Sequence, residues 1–401
     1  MTESPHPVSR TLMLLTVIAG AGSPALAGQT GQRYVIGDLF PPPSVVRVVE
    51  GSAGTWTLEK NLAFEREDGA RMAPHLGRPA LWLRSGVHVL LSGVEFSDGT
   101  IEFDFSPMQN IDNSFAGVVF RRHSLGYHEN IYLRPHNTGR FDAVQYAPRM
   151  HGATTFQLYD FYAQTEIHEG RWTHLRLEVR GPRLEVYIDR ADEPALVVPQ
   201  LRGLTETGGV AFWARIGEEG ERWAAAVSNV EVRPLPPTAG DPSPPTAPPP
   251  GTLTDWRIAG PTDAAAGPVR RLPSTLADAA WQDLPMDVDG LANLTALYGQ
   301  RPRRRTVFAR TALRAEAASL VALDIAYSDE ITVFLNGRPL YSAVGGFGSR
   351  NPRFVGLLSP GSEFVYLPLR PGENELVLAV TDRSFGWGFR ARLAAEDTGQ
   401  N

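Results

Sequence analysis

The amino-acid sequence predicts an all-β protein made of two β-sandwich domains, and two patterns carry this prediction. In "GTIEFDFSP", Ile101, Phe103 and Phe105 alternate with Glu102 and Asp104, so one side of the segment is apolar and the other is polar. A period of two is typical of half-buried antiparallel strands. The 39 glycines and 33 prolines interrupt the chain at short intervals, as expected for short strands joined by many turns.

Further strands follow along the N-terminal half. "WTHLRLEVRG" places Leu175, Leu177 and Val179 on one side, and "RLEVYID" repeats the alternation from Leu184 to Ile188. No segment in this half has a convincing helical period. The pattern therefore favours a β-sandwich over a mixed fold.

The C-terminal half shows similar but less regular strands. "VALDIAYSDEITVFLNGRPLYSA" holds two apolar segments around Asn336-Gly337, a dipeptide that strongly predicts a tight β-hairpin. "ENELVLAVTD" and "FGWGFRARL" supply further strands near the end of the chain. We therefore predict a second β domain there.

A proline-rich linker, "LPPTAGDPSPPTAPPPG", lies between the two halves. Proline at this density favours an extended polyproline conformation, which predicts a semi-rigid spacer of about 50 Å. The predicted organisation is a signal segment at 1–27, a first domain at 28–233, a linker at 234–251 and a second domain at 252–401.

The N-terminal segment has the features of an export signal. Arg10 precedes the apolar run "TLMLLTVIAGAG", and "SPALA" offers small residues up to Ala27. This arrangement predicts cleavage after Ala27 and a periplasmic or extracellular location. The apolar run is too short for a mature membrane span, and the sequence predicts no other span.

Charge and cysteine content exclude several classes of function. The net charge of -6 and the pI near 5.9 give no general attraction to nucleic acid. The absence of cysteine excludes disulfides, zinc–thiolate sites and thiol nucleophiles. These features leave the oligomeric state open.

Several segments of the first domain resemble the concanavalin A-like lectin/glucanase superfamily, which includes laminin-G-like domains. The segments are "DGTIEFDFSP", "AGVVFRR", "RWTHLRLEVRGPRLEVYID" and "GGVAFWAR", in this order. The resemblance implies a jelly roll over most of residues 50–233, with one curved sheet whose concave face is open to solvent. This jelly roll hosts many functions, so the resemblance is specific for fold and loose for activity.

The second domain resembles a galactose-binding-like β-sandwich. The resemblance rests on "DWRIAGP", "SDEITVFLNGRPLY" and "GENELVLAVTDRSFGWGFRARL" and covers residues 253–395. Functions in that family range from sugar binding to structural packing. The resemblance therefore implies an accessory module and leaves its binding role open.

A polar and aromatic segment of the first domain supplies the candidate ligand-binding residues. In "NIYLRPH", Asn130, Tyr132, Arg134 and His136 share one side of a strand, opposite Ile131 and Leu133. Tyrosine can pack on the C–H face of a pyranose, and Arg, Asn and Asp side chains pair with hydroxyl groups. The remaining ligand-binding candidates in this domain are Arg121, His123, Asp142, Tyr146, Gln157 and Tyr159, and Asp160 lies next to Tyr159 in the sequence.

An alternative interpretation of this segment needs no ligand. A strand face in contact with solvent is polar in any case, and Tyr–Arg or Arg–Asp pairs between neighbouring strands stabilise a sheet by themselves. Both interpretations remain open on the sequence alone.

The evidence for catalysis is weaker. Related glucanases carry three alternating carboxylates on one strand, Glu-x-Asp-x-Glu, but here Ser106 follows Glu102 and Asp104 in the third position. Glu102, Asp104 and Asp142 are the weak catalytic candidates, and Glu129 and Asp160 are further carboxylates in the region. The spacing that separates retaining from inverting glycosidases cannot be obtained from a sequence.

No cofactor is predicted. His123, His128, His136 and His151 lie near one another in the sequence, but no HxxxH or HExxH spacing predicts a metal site. Calcium often steadies folds of both kinds, yet no dense acidic loop supports a calcium site.

The second domain contains no histidine, lysine or cysteine, which excludes a Ser-His-Asp triad within it. Trp387 lies between two glycines, where it could be exposed for stacking or could close the end of the sandwich. The residues suited to binding or to contact between domains are Tyr327, Asp329, Glu330, Arg350, Asp382, Arg383 and Trp387.

The sequence thus leads to three functional hypotheses. The first is an exported protein that binds a polysaccharide or glycan on the concave face, with the second domain as an accessory binder. The second is a glycoside hydrolase or polysaccharide lyase that uses carboxylates of the first domain. The third is a non-catalytic module for protein contacts or cell-surface interactions.

Overall fold

The computed structural model describes residues 57–60, 70–91, 93–108, 114–216, 223–237, 247–264, 267–299, 303–351 and 354–394. The predicted signal segment and residues 238–246 of the predicted linker lie outside these stretches. Within them, most regular structure is antiparallel β-strand, which confirms the all-β prediction. No helix in the described stretches has the length and hydropathy needed to cross a bilayer.

The first sandwich contains strands β1 to β16 of the described chain. Their bounds are β1 Thr57–Lys60, β2 Ala70–His75, β3 Arg78–Arg84, β4 Val87–Leu90, β5 Asp98–Pro107, β6 Ser114–Ser124, β7 Tyr127–Leu133, β8 Val144–Tyr146, β9 Arg149–Met150, β10 Ala153–Thr154, β11 Tyr162–Ala163, β12 Thr173–Arg180, β13 Arg183–Ile188, β14 Leu196–Val198, β15 Gly209–Ile216 and β16 Trp223–Leu235.

These strands form two sheets in the described part of the chain. The nine-stranded sheet has the order β1-β4-β15-β6-β7-β8-β11, with β9 paired to β7 and β10 paired to β9. The seven-stranded sheet has the order β14-β13-β12-β5-β16-β3-β2. Strands distant in sequence, such as β5 and β16, lie side by side, as in jelly-roll sandwiches.

The core of the first sandwich lies between these sheets. Phe103 of the seven-stranded sheet meets Phe212 of the nine-stranded sheet edge to face, with ring centroids 5.0 Å apart. The apolar positions predicted from the alternation are all buried: Ile101, Phe103, Phe105, Leu175, Leu177, Val179, Leu184, Val186 and Ile188. Their burial confirms the predicted strand faces.

The second sandwich contains β17 to β26 and one short described α-helix, α1. The bounds are β17 Arg257–Asp263, β18 Gln282–Asp283, β19 Ala292–Asn293, α1 Leu294–Tyr298, β20 Arg305–Ala315, β21 Ser319–Ser328, β22 Glu330–Leu335, β23 Arg338–Val344, β24 Phe364–Leu369, β25 Gly372–Thr381 and β26 Gly388–Leu393. One sheet has the order β18-β17-β20-β25-β22-β23, and the other has the order β19-β26-β21-β24.

The predicted hairpin of the second sandwich is present. Asn336 and Gly337 join β22 to β23 with φ values of 50° and 78°. Two consecutive residues with positive φ match the twist of the flanking strands, which is why Asn-Gly is favoured there. This prediction is confirmed.

The two sandwiches are in direct contact. Met150, Leu158 and Tyr159 of the first form one buried cluster with Leu291, Ala326 and Leu358 of the second. The expectation that the linker holds the domains apart is therefore wrong. Burial of apolar surface stabilises this contact, whereas an extended spacer would leave the same surface in water.

Hydrogen bonds fix the register of this interface. Asn293 caps α1 by accepting from the Ala296 backbone N–H at 3.0 Å, and its amide donates to the Tyr159 hydroxyl at 2.8 Å. The backbone N–H of Leu358 donates to the Gln157 carbonyl at 2.8 Å. One side chain thus both caps the beginning of a helix and joins the sandwiches.

Ion pairs border the same interface. Arg202 of the first sandwich lies 3.6 Å from Asp287 and 3.3 Å from Asp289 of the second. Arg390 lies 2.6 Å from Asp289 and 3.7 Å from Asp160. Two arginines therefore face three aspartates across the contact, which leaves one more carboxyl group than guanidinium groups.

Candidate functional site

A cluster of rings occupies the face of the nine-stranded sheet that points away from the core. Val87, Val89, Ile131 and Leu133 point into the core, so the residues between them face the other way. We call this face the aromatic trough. Its rings are His88, Phe115, His128, Tyr132, His136 and Trp213.

The rings form a continuous series of contacts. His88 stacks on Trp213 with ring centroids 5.9 Å apart and also lies 5.8 Å from His128. Tyr132 lies 5.9 Å from Trp213 and 6.0 Å from Phe115. His136 completes the series beside Phe115 at 5.0 Å.

The contact between His88 and His128 shows that this face is concave. Their strands, β4 and β7, are separated by β15 and β6, which corresponds to about 14 Å at the usual strand spacing. Ring centroids only 5.8 Å apart require side chains that converge above the two intervening strands. A flat sheet would hold the rings far apart.

Gly117 on β6 permits the close approach at the centre of the trough. A Cβ at this position would lie 2.2 Å from the Ile131 carbonyl oxygen and 2.7 Å from the Tyr132 Cα. Any side chain at Gly117 would therefore push β7 away. Glycine lets Trp213 and Tyr132, on the strands either side of β6, meet above it.

Polar side chains are fixed among the rings. The Trp213 indole N–H donates to Asn130 Oδ1 at 2.9 Å, and the Tyr132 hydroxyl donates to Gln145 Oε1 at 2.5 Å. Because aromatic contacts and hydrogen bonds restrict the same side chains, little conformational entropy remains to be lost when a ligand binds.

One ion pair lies at the end of the trough near Phe115. Arg134 donates to Asp142 Oδ2 at 2.6 Å, and Asn137 donates to the same oxygen at 3.0 Å. The Arg134 guanidinium lies 6.0 Å from the centroid of Phe115. Two residues predicted separately as ligand-binding candidates, Arg134 and Asp142, are therefore brought together at the trough.

Burial keeps three rings of the trough, His88, His128 and Tyr132, uncharged. Burial lowers the pKa of His88 and also lowers the pKa of His128, in the latter case to about 3. Burial likewise raises the pKa of Tyr132. At neutral pH these three rings are neutral and suit stacking against a neutral sugar surface.

Five predicted ligand-binding residues thus lie on or beside the trough: Asn130, Tyr132, Arg134, His136 and Asp142. Their common side was expected from the alternation along β7. Asn130, Tyr132 and Asp142 are more than 90% buried. The half-buried residues, which form the accessible part, are Phe115, Arg134, His136 and Trp213.

Three other candidates of the first domain do not join the trough. Arg121 is buried and donates to Asp98 at 3.1 Å and to the Gly181 carbonyl at 2.6 Å. His123 is exposed near the end of β6. Tyr146 points into the core, because Gln145 is the β8 residue that faces the trough; its expected placement on the polar side is wrong.

The candidates at the end of the polar segment lie at the contact between the sandwiches. Gln157 donates to the Val355 carbonyl at 3.2 Å, Tyr159 accepts from Asn293, and Asp160 is near Arg390. Gln157 and Tyr159 are fully buried. Their polarity serves domain contact, which the strand pattern did not reveal.

The weak catalytic pair, Glu102 and Asp104, lies on the outer face of the seven-stranded sheet, away from the trough. Asp104 accepts from Arg78 at 2.6 Å and from His174 at 2.8 Å. Burial acts to raise the pKa of Asp104, but hydrogen bonds, first from His174 and then from Asn229, lower it overall. A carboxylate held ionised by these partners is poorly suited to act as an acid.

Glu129 has a raised pKa that would suit proton transfer, but the carboxyl group is enclosed. It is 1% exposed, accepts from the Tyr146 hydroxyl at 2.7 Å and accepts from the Gly203 N–H at 3.0 Å. Burial raises its pKa to about 7, although hydrogen bonds and nearby arginines oppose the rise. We interpret this group as a determinant of pH-dependent stability.

We expect Glu129→Gln to flatten the pH dependence of stability. The carboxyl group loses its proton near pH 4.5 in the unfolded chain and near pH 7 in the folded one. Its contribution to the free energy of unfolding is therefore complete below pH 4.5 and is lost as the pH rises through 7. Glutamine imitates the protonated group and should raise the free energy of unfolding by roughly 2–3 kcal/mol at pH 8. Urea unfolding from pH 4 to 8 measures this, with exposed Glu169→Gln as the control. Parallel profiles for Glu129→Gln and wild type would contradict it.

The clustered histidines make hydrogen bonds to the backbone. His128 bonds to the Ser124 carbonyl at 3.1 Å and His136 to the Ser114 carbonyl at 2.8 Å. His151 bonds to Ala296 of the second sandwich at 3.0 Å. Among the described residues, no group of three or more His, Cys, Asp or Glu is arranged to hold a metal ion.

Trp387 is a core residue of the second sandwich. It is 0% exposed, and its indole N–H donates to the Gly299 carbonyl at 3.0 Å. Of the two alternatives left open for Trp387, exposure for stacking is therefore wrong, and the ring is packed in the core of the second sandwich. Arg383 lies nearby. Its backbone N–H donates to Asp329 Oδ2 at 2.6 Å, and its guanidinium lies 3.4 Å from the Glu330 carboxylate.

A cavity of about 240 Å³ lies in the second sandwich, lined in part by Tyr327, Arg350, Phe354 and Glu363. The hydroxyl of Tyr327 donates to Glu363 at 2.8 Å, and Arg350 forms an ion pair with the same carboxylate. The Arg350 guanidinium lies 4.8 Å from the Phe354 ring centroid. Two candidates from the sequence, Tyr327 and Arg350, thus meet at this cavity.

Five trough residues were missed as ligand-binding candidates in the sequence: His88, Phe115, His128, Gln145 and Trp213. His128 was considered there only for metal binding. Each faces away from apolar neighbours, as in "VHVL" and "VAFWAR". The alternation could have placed each on the polar side of its own strand. It could not show that strands so distant in sequence converge.

The fold and the trough together define an all-β, two-sandwich protein with an aromatic concave face. No family model and no curated protein matches the chain. Similar solved structures exist for part of it. One is a carbohydrate-binding module, CBM66, from Bacillus subtilis (18% identity, 44% of this chain, 92% of that chain, TM-score 0.31).

Two further similar structures have comparable scores. One is domain 4 of AbnA, an extracellular arabinanase from Geobacillus stearothermophilus, in complex with arabinotriose (13% identity, 47% and 86% covered, TM-score 0.33). The other is a pseudo β-1,3-glucanase of Mycobacterium tuberculosis (13% identity, 50% and 97% covered, TM-score 0.35). At TM-scores below 0.5 these similarities carry no argument about function.

Proposed function

We propose that this chain is an exported carbohydrate-binding protein whose ligand, a polysaccharide or glycan, lies along the aromatic trough. The observation that carries the proposal is the continuous series of rings from His128 to His136, with amide groups fixed between them. Flat apolar rings match the C–H faces of pyranoses, and fixed amides match their hydroxyl groups.

The geometry supports binding over hydrolysis. A glycosidase of the usual kind needs two carboxyl groups that flank the scissile bond. Of the carboxylates named as candidates, only Asp142 lies beside the trough, and Arg134 and Asn137 hold one of its oxygens. Glu102 and Asp104 are on the other sheet.

The second sandwich, over predicted residues 252–401, is proposed as an accessory binding module. The cavity beside Tyr327 and Glu363 supports this role, because it combines a ring, a carboxylate and a guanidinium in a space of about 240 Å³. The packed interface at Leu158 keeps the two sites at a fixed separation. Two such sites on one polymer would raise the overall affinity.

The test uses the chain without residues 1–27 and a panel of soluble polysaccharides. We expect at least one polysaccharide to retard the protein in an affinity gel, with no release of reducing ends. Release of reducing ends that is lost in Asp142→Asn would replace the proposal with the hydrolase hypothesis. If no polysaccharide of a broad panel retards the protein or releases reducing ends, the protein-contact hypothesis replaces the proposal.

A further inference from the structure

Two arginines face the trough, and the described part of the chain offers neither of them a carboxylate partner. Arg149 is paired with His128 across β9 and β7, and Arg215 follows Trp213 on the same side of β15. Arg149 contacts the Leu125 carbonyl at 3.5 Å. Among the described residues, neither guanidinium lies within 4.0 Å of a carboxylate.

Two other arginines of the first sandwich do have carboxylate partners. Arg121 pairs with Asp98 at 3.1 Å, and Arg134 pairs with Asp142 at 2.6 Å. Desolvating a guanidinium without a countercharge is unfavourable. The half-buried Arg149 is therefore a place where an anion from a ligand would be stabilised.

The positive charges act on the rings of the trough. Burial first, and then the charge of Arg215, lower the pKa of Arg149. The pKa of His88 is lowered first by burial, then by the neighbouring His128 ring, and then by the positive charges of Arg122 and Arg149. Because His88 stacks on Trp213, this charge lies beside the central ring of the trough, on a chain whose net charge is -6.

We propose that the trough selects an acidic polysaccharide, with Arg149 and Arg215 binding carboxylate or sulfate groups of sugars that stack on the rings. This inference rests on the proposed carbohydrate-binding function. A guanidinium offers a planar fork of donors that matches both kinds of anion. An acidic polysaccharide presents acidic groups and pyranose faces in alternation. The acidic groups would pair with the two guanidinium groups while the pyranose faces stack on the rings of the trough.

The experiment compares ligands that differ in charge alone. Polygalacturonate is tested against its fully methyl-esterified form, and dextran sulfate against dextran, at low and high salt. We expect at least about tenfold tighter binding of one charged form, with the advantage reduced at high salt because exposed charges are screened. Preference for polygalacturonate or for dextran sulfate would identify the anion as carboxylate or sulfate.

Three variants assign the effect to the trough. Arg149→Gln and Arg215→Gln should each weaken binding of the charged form about tenfold, while Arg180→Gln, an exposed residue on the other sheet, should not. Urea unfolding checks that each variant is folded. An equal loss in Arg180→Gln would overturn the inference by showing attraction that is not specific to the trough.

The outcomes also separate this inference from the proposed function. Equal binding of charged and uncharged forms overturns the acidic preference and leaves carbohydrate binding intact. Absence of binding to both members of each pair, together with no retardation in the wider panel, overturns both.

Discussion

Replacing Trp213 by alanine should weaken binding of the retained polysaccharide roughly hundredfold, as expected for a central aromatic anchor. The substitution removes the ring that contacts both His88 and Tyr132 and the indole donor that holds Asn130. Isothermal titration with the polysaccharide that retards the wild-type protein measures the loss. Urea unfolding of the same sample shows whether the fold is retained.

Two further variants make this result specific. Trp213→Phe keeps an aromatic surface and loses the donor to Asn130, so we expect an intermediate affinity. Trp172→Ala removes a half-buried tryptophan from the seven-stranded side and should bind as the wild type does. If Trp213→Ala binds normally while folded, the ligand does not lie in the trough.

Introducing aspartate at Leu158 should separate the unfolding of the two sandwiches. Leu158 is 0% exposed in the cluster with Leu291, Ala326 and Leu358, and a charge there would be desolvated without a partner. We expect a loss of at least about 3 kcal/mol from the interface. Scanning calorimetry should show one transition for the wild type and two for Leu158→Asp.

The matched control is Leu320→Asp, which places the same charge at a position 66% exposed on the second sandwich. It should leave the single transition unchanged, because its carboxylate stays in water. A wild-type protein that already unfolds in two transitions would show that the contact at Leu158 does not couple the sandwiches.

The strands themselves were predictable because their local pattern agrees with their burial. Phe103 and Phe105 alternate with polar residues and lie in the core, and Asn336-Gly337 forms the hairpin that this dipeptide favours. The side of β7 was predicted for the same reason, so Asn130 and Tyr132 were assigned to the polar face. Alternation is a property of one strand and needs no partner.

The rest of the site depended on which strands become neighbours. His88, Tyr132 and Trp213 belong to strands separated by dozens of residues, and only sheet order and curvature bring their rings together. Gln157 and Tyr159 are residue types that also bind sugars, yet here they pack against the second sandwich. Composition cannot distinguish a surface that faces a ligand from one that faces another domain.

The sequence by itself determined the all-β class, the division into two β regions and the face of most strands, because these follow from local periodicity and turn chemistry. Only the tertiary structure decided that the domains touch, that Trp387 is enclosed and that, within the described part of the chain, Arg149 and Arg215 have no carboxylate partner beside the ring-lined trough. Those features depend on distances between residues far apart in the chain, and such distances are set by packing of the whole molecule.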